Sequence, residues 1–235
     1  MFAMFLAFSA LRAPVPAVNE PHFLAKAKHY WDPAWCPGDF FLDSGNAHLV
    51  FFQAVGLVAQ VLPLDAAAWL GRVAALALLA AGWTALVRRL LAGSWAPVWI
   101  AAVFLLFAAV GNLSGEWLIG GVESKVFSYA FVFFGLAAAI DRRWIAAGAW
   151  GGLAIALHPV VGMWSLLAAI FALVAQRFAG PVGQAFQPAD SPVCATDGQT
   201  RMSAPPAGGR ITDPSCGVGQ AFQPADSPVC ATDGQ

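Results

Sequence analysis

The sequence predicts an all-α chain, a polytopic transmembrane helical bundle followed by a disordered C-terminal tail. Three observations predict it. Hydrophobic residues make up 59% of the 235 and charged residues only 11%, against roughly one quarter charged in soluble domains. Mean hydropathy is +0.67, and long apolar runs recur from Met1 to Ala179, broken by proline, glycine and short polar loops. The last stretch, 180–235, is instead rich in Pro, Gly and Asp and poor in apolar residues, a composition that cannot bury enough surface to fold. The expected organisation is therefore a helical region, 1–179, with polar loops at 18–46 and 111–125, and then the tail.

Met1 to Leu11 is apolar but shorter than the roughly 20 residues a spanning helix needs. It reads as a partial first transmembrane helix left by a truncated or misassigned start, or as a signal-peptide core without a basic n-region. Ala66 to Val87 is a long Ala/Leu run with Arg72 as its one charge, closed by Arg88 and Arg89. Trp95 to Val110 follows an Ala-Gly-Ser turn, and Val126 to Ile140 stops at Asp141-Arg142-Arg143. Trp144 to Leu157 and Val160 to Ala175 are divided at His158-Pro159, because proline brings no amide hydrogen and clashes with the preceding turn. These runs predict about four to six membrane helices.

Ala47 to Leu64 has two readings. It is long enough to span, yet it carries His48, Gln53 and Gln60 and ends at a Leu-Pro-Leu-Asp turn, so it also fits an amphipathic helix lying in the interface. If it spans, Arg12, Lys26, Lys28, Arg88, Arg89, Arg142, Arg143 and Arg177 share one side, leaving Lys125 opposite, and the positive-inside rule makes that side cytoplasmic. If it lies flat, the arginine pairs and Arg177 oppose the lysine-bearing loops.

Net charge is −1 and no zinc-finger, Walker or dinucleotide-binding spacing is present, which argues against a nucleic-acid partner. Cys36, Cys194, Cys216 and Cys230 have no metal-like spacing, and His22, His29, His48 and His158 lack a recognised zinc-ligand spacing. In the tail, Val182 to Gln199 recurs without a change at Val218 to Gln235. Folding repeats normally drift at exposed positions and need about three copies to build a core, so two identical copies read as a recent in-frame duplication.

In a chain this apolar, charge is placed where water or chemistry requires it. All three lysines, Lys26, Lys28 and Lys125, lie in the two polar loops, beside Glu20, Asp39, Asp43, Glu116 and Glu123. Carboxylates and cations gathered in this way mark the two loops as the place where function is to be sought. The plainer reading is solvation of loops, with Tyr30, Trp31, Trp35, Trp95 and Trp117 as interfacial anchors. Arg72 suits either snorkelling to headgroups or binding a lipid-linked phosphate. His158, before a proline, suits a helix cap or a cavity-lining position.

The layout also resembles a known family. A short first apolar segment, Asn19-Glu20, Gly38-Asp39, an apolar interfacial run, then Trp69-Leu-Gly-Arg-Val and an Ala/Leu span closed by Arg88-Arg89 resemble the N-terminal part of GT-C class membrane glycosyltransferases that use polyprenyl-phosphate sugars. Gly115-Glu-Trp-Leu-Ile-Gly-Gly-Val-Glu-Ser-Lys125 resembles their second outer loop, and His158-Pro159-Val-Val-Gly162 sits where relatives often have a Lys-Gly-Pro break. The likeness covers roughly 1–178. It implies an extracytoplasmic first loop with membrane-parallel helices and a multi-pass protein of the bacterial inner-membrane type. It further implies the lipid bilayer and a polyprenyl-phosphate sugar donor as partners, and admits a divalent metal. The catalytic candidates it implies are Glu20, Asp39 and Glu123, with Lys26, Lys28, Arg72, Lys125 and His158 on the substrate phosphate. One position departs from the pattern: the acidic pair begins with Asn19, and asparagine is no general base, so Glu20, Asp39 or Asp43 must serve, or the chain does not catalyse transfer. Enzymes of this class generally have more spans, so the resemblance also implies a truncated copy. The alternative is a non-enzymatic membrane protein such as a transporter fragment or assembly component.

Overall fold

The computed structural model describes residues 1–17, 19–111 and 118–178, all within one compact unit; the tail repeat and Glu116 lie outside them. The described residues form eight α-helices and no strand: α1 Phe2–Arg12, α2 Glu20–Trp31, α3 Leu49–Val61, α4 Leu64–Leu90, α5 Ala96–Val110, α6 Ser124–Ile140, α7 Trp144–Leu157 and α8 Pro159–Phe178.

Proline sets several boundaries, at 63 and 159 as the sequence predicts and at 21 and 97 as well. Pro21 and Pro97 sit in the first turns of α2 and α5, where the missing amide hydrogen has no intrahelical partner to lose. Pro63 precedes α4, and Pro159 ends α7 and opens α8. Val161 N donates to His158 Nδ1 at 3.2 Å, so His158 caps α8.

The expected Ala66 to Val87 run is the inner part of the longest helix, α4, whose 27 residues organise the fold. Its first half packs with α2, α3 and Val122 through Leu24, Phe51, Phe52, Ala67 and Ala68. Its second half packs with α1, α5 and α6 through Phe5, Leu76, Leu79, Leu105 and Val126. At Gly82 α4 comes so close to α6 that an added Cβ would lie 2.6 Å from Ala130 O, so only glycine permits this approach. α7 joins α6 through Trp150 against Phe131 and Phe134, with ring centroids 5.5 and 5.1 Å apart, and through Ser128 Oγ donating to Ala154 O at 2.9 Å.

Two helices are long and apolar enough to cross a membrane, Leu64–Leu90 and Pro159–Phe178. α1, α5, α6 and α7 are apolar but shorter, so two of the expected four to six membrane helices reach spanning length among the described residues. α3 has 13 residues, about 20 Å at 1.5 Å per residue, well short of a hydrocarbon core of roughly 30 Å. Both ends of α3 also pack near the start of α4, His48 against His158 and Leu62 in one core with Ala67, which favours the interfacial reading of Ala47 to Leu64.

The paired ends of α4 and α6 sort the charges. Arg89 meets Asp141 at 2.9 and 2.6 Å, joining the C-terminal ends of α4 and α6, and Arg142 and Arg177 border one groove beside them. The lysine-bearing loops lie at the other end, around the starts of α4 and α6. A shared side for lysines and arginine pairs is thereby overturned.

Candidate functional site

The two polar loops meet at the arginine-poor end, and Glu20 is where they join. The first turn of α2 places it against Arg72, two turns into α4. Glu20 Oε1 accepts from Arg72 Nε at 3.0 Å and from Val122 N at 2.8 Å. Its Oε2 accepts from Ala17 N at 2.9 Å and from Arg72 Nη2. Arg72 also donates to Ala13 O at 3.2 Å and to Pro14 O at 3.1 Å. Both side chains are buried. A carboxylate has about four lone-pair positions, and here all four are occupied by protein donors. Arg72 is buried and commits four of its five N–H donors to Glu20, Ala13 and Pro14, so with Glu20 it bolts α2, α4 and the second loop together.

Gly121 explains how the loop comes so near. A Cβ there would run into the Glu20 carboxylate, so the glycine required by the close approach is Gly121. The neighbouring Gly120 accepts from Ser9 Oγ, tying α1 to the same loop.

Glu123 is placed differently. It precedes α6, is buried, and has Lys125 Nζ at 3.1 Å from Oε2, with Asn19 Nδ2 donating to the same oxygen at 3.5 Å. Its Oε1 has no hydrogen-bond partner among the described residues, and neither has the buried Ser124 Oγ beside it. A buried carboxylate oxygen without a donor is costly in isolation. With His48 Nδ1 and Ser124 Oγ it is one of the buried polar atoms at this end without a hydrogen-bond partner among the described residues.

Asn19 also borders a cleft of about 400 Å³ that includes His22, Lys26, Ser44 and His48, floored by Phe23 and Phe52. Its far wall is the 32–46 loop, held by Lys26, whose Nζ donates to Phe41 O at 2.7 Å, Ser44 O at 3.1 Å and Ser44 Oγ at 2.6 Å. Burial pushes the Lys26 ammonium below the usual lysine range, against the opposing pull of Asp39 and Asp43. Asp39 Oδ1 accepts from Phe41 N and Leu42 N, both at 2.9 Å, which builds the turn. His29 links the same loop at both ring nitrogens, to Trp35 O at 2.8 Å and Asp43 Oδ1 at 2.9 Å.

At the cleft's inner edge His48 lies over His158, ring centroids 4.5 Å apart and planes tilted by 32°. His48 Nδ1 is buried without a partner among the described residues. Burial first, and the charge of His158 second, hold His48 below the ordinary histidine range, while its hydrogen bond to the Leu157 carbonyl works the other way.

Of the sequence-derived candidates, the fold gathers Glu20, Arg72, Glu123 and Lys125 into one cluster and sets Lys26 and His158 around the adjoining cleft. Asp39 serves the loop, and Lys28 Nζ lies 5.1 Å from the Trp35 ring centroid, outside the cleft lining. Sequence reasoning missed Asn19 as the bridge between cleft and cluster, and His22, Ser44 and His48 as lining. Polarity in an apolar chain was their one signal. Among the described residues no group of three or more His, Cys, Asp or Glu is placed to hold a metal ion. Comparison of the chain with family models, with curated proteins and with solved structures returned no match in any of the three.

Proposed function

We propose that this chain is an integral membrane protein of GT-C glycosyltransferase type, corresponding to the N-terminal part of such an enzyme, with its site on the extracytoplasmic side. The carrying observation is Glu20 Oε1 accepting from Val122 N at 2.8 Å, which makes one site of two loops that lie 102 positions apart. Large apolar side chains face outward on α5, α7 and α8, Trp99, Phe107, Ile145, Trp164 and Phe171 among them. Soluble monomers rarely expose apolar surface on this scale, and a bilayer would cover it. Arginine pairs at the opposite end from the site support a cytoplasmic arginine end under the positive-inside rule.

In this reading Glu123, not Glu20, is the base. A sugar acceptor hydroxyl would hydrogen-bond to Glu123 Oε1. Its oxygen would attack the anomeric carbon as the bond from that carbon to the phosphate oxygen breaks, the proton passing to Glu123 and polyprenyl phosphate leaving. Lys125 and the cationic side of the cleft favour the departing phosphate, and Asn19 positions the carboxylate.

Two experiments test this. On intact cells, with Cys194, Cys216 and Cys230 replaced by serine, a membrane-impermeant maleimide should label exposed Cys36 at the site end. A cysteine at Ser94, in the turn at the arginine end, should label only after permeabilisation. The reverse pattern would defeat the extracytoplasmic assignment. With a polyprenyl-phosphate sugar as donor, Glu123→Gln should lower transfer by at least about a hundredfold without loss of bound donor. Neither transfer nor retention of polyprenyl phosphate by the unmodified chain would leave the non-enzymatic alternative, a transporter fragment or assembly component.

A further inference from the structure

At the end opposite the site, a groove of about 950 Å³ opens between the C-terminal parts of α4, α6 and α8. Its walls are apolar, with Leu86 and Leu90 from α4, Leu136 from α6 and Leu173 from α8, and its mouth carries Arg142 and Arg177. Charge balance separates these two arginines from their neighbour. Arg89 is neutralised by Asp141 through two hydrogen bonds, and Asp141 is held below the usual carboxylate range chiefly by that hydrogen bond. Arg142 and Arg177 make no ion pair or side-chain hydrogen bond among the described residues, and both are exposed. Arg142 also holds a left-handed backbone, φ 59°, a conformation that favours glycine or asparagine over arginine. Trp144 stands beside it on the groove's rim, the usual place for an aromatic at a membrane–water boundary.

We propose that this groove binds one anionic glycerophospholipid, its phosphate between Arg142 and Arg177 and an acyl chain along the leucines. An apolar trough ending in two guanidinium groups without an ion-pair partner among the described residues complements an amphiphile with one phosphate, and guanidinium presents paired donors to phosphate oxygens. A free phosphate would use the arginines and leave the trough empty. A zwitterionic lipid would fill the trough while bringing a cation to the arginines. The proposal rests on the membrane reading above but not on the chemistry of the other end.

The test is native mass spectrometry of the full chain released from nanodiscs of equal phosphatidylglycerol and phosphatidylcholine. The chain's resistance to alkaline carbonate extraction from vesicles of the same composition is measured alongside. Phosphatidylglycerol should be retained about tenfold over phosphatidylcholine, and Arg142→Gln with Arg177→Gln should abolish the preference. Arg88→Gln with Arg143→Gln removes the same charge outside the groove lining and should leave the preference intact. Excess inorganic phosphate should not displace the lipid. Equal retention of the two lipids, equal loss in both double variants, or displacement by phosphate would each overturn the lipid site while leaving the membrane reading standing. Extraction by carbonate would overturn both.

Discussion

Arg72 on α4 holds both carboxylate oxygens of Glu20 on α2, 52 positions away in the chain, and neither side chain reaches solvent. Taking two charges out of water is expensive, and such a pair persists because further hydrogen bonds, from Val122 N and Ala17 N to Glu20 and from Arg72 to Ala13 O and Pro14 O, support it. The pair fixes where the first loop, the second loop and the start of α4 meet. It is therefore a determinant of the site's shape, whatever chemistry occurs beside it.

Removing one member should leave the other charge buried and uncompensated. Arg72→Met is expected to cost about 3–5 kcal/mol of stability, read by thermal unfolding in detergent micelles. Glu20→Met should cost a comparable amount, and the double variant much less than the sum of the two. Additivity within about 0.5 kcal/mol would mean that the two residues act independently.

Gly121 and Gly148 should respond oppositely to alanine. At Gly121 the new methyl meets the Glu20 carboxylate, so Gly121→Ala should destabilise by about 1–3 kcal/mol. At Gly148, inside α7, nothing lies within 4 Å of an added Cβ, and Gly148→Ala should be neutral or stabilise by up to about 1 kcal/mol. Equal unfolding temperatures for the two variants would contradict the close approach at Gly121.

Stability should fall on mild acidification because of His48. Its folded-state pKa is lowered from 6.5, by burial and then by His158, so below about pH 6.5 the unfolded chain takes up a proton that the folded chain resists. The stabilisation is complete above that value and is lost as pH drops toward the depressed folded value. His48→Asn should flatten the unfolding temperature between pH 7.5 and 5.5 relative to the unmodified chain. An unchanged slope would assign the acid sensitivity to other groups.

Lys26 should govern the order of the 32–46 loop. Lys26→Met removes three donors, to Phe41 O, Ser44 O and Ser44 Oγ, while keeping most of the stem. Amide hydrogen exchange across 39–46 is expected to quicken by at least about tenfold, with α4 and α6 unaffected. Unaltered exchange in the loop would mean that Asp39 and His29 suffice to hold it.

The apolar runs, the breaks at Pro63 and Pro159, and the concentration of charge in two loops were legible because they are local. A backbone needs its neighbours' amides, a proline denies one, and a charge needs water or a partner, and all three demands are written within a few residues. So the all-helical character and the region where polar side chains gather could be read from the sequence by itself. Which polar side chains face one another could not. Glu20 and Glu123 are similar as text, two carboxylates in polar loops, yet one is saturated by Arg72, Val122 N and Ala17 N while the other keeps an oxygen without a partner among the described residues. The difference arises from the packing of α2 and α6 around α4, from contacts 52 to 104 positions apart. The same holds for α3, whose composition permitted a span and whose two ends pack together near the start of α4, and for the arginines gathered at one end. Sequence determined the elements and their polarity because these follow from nearest neighbours. Only the tertiary structure decided the partners, because a buried charge takes whichever donors the surrounding helices bring within hydrogen-bond reach.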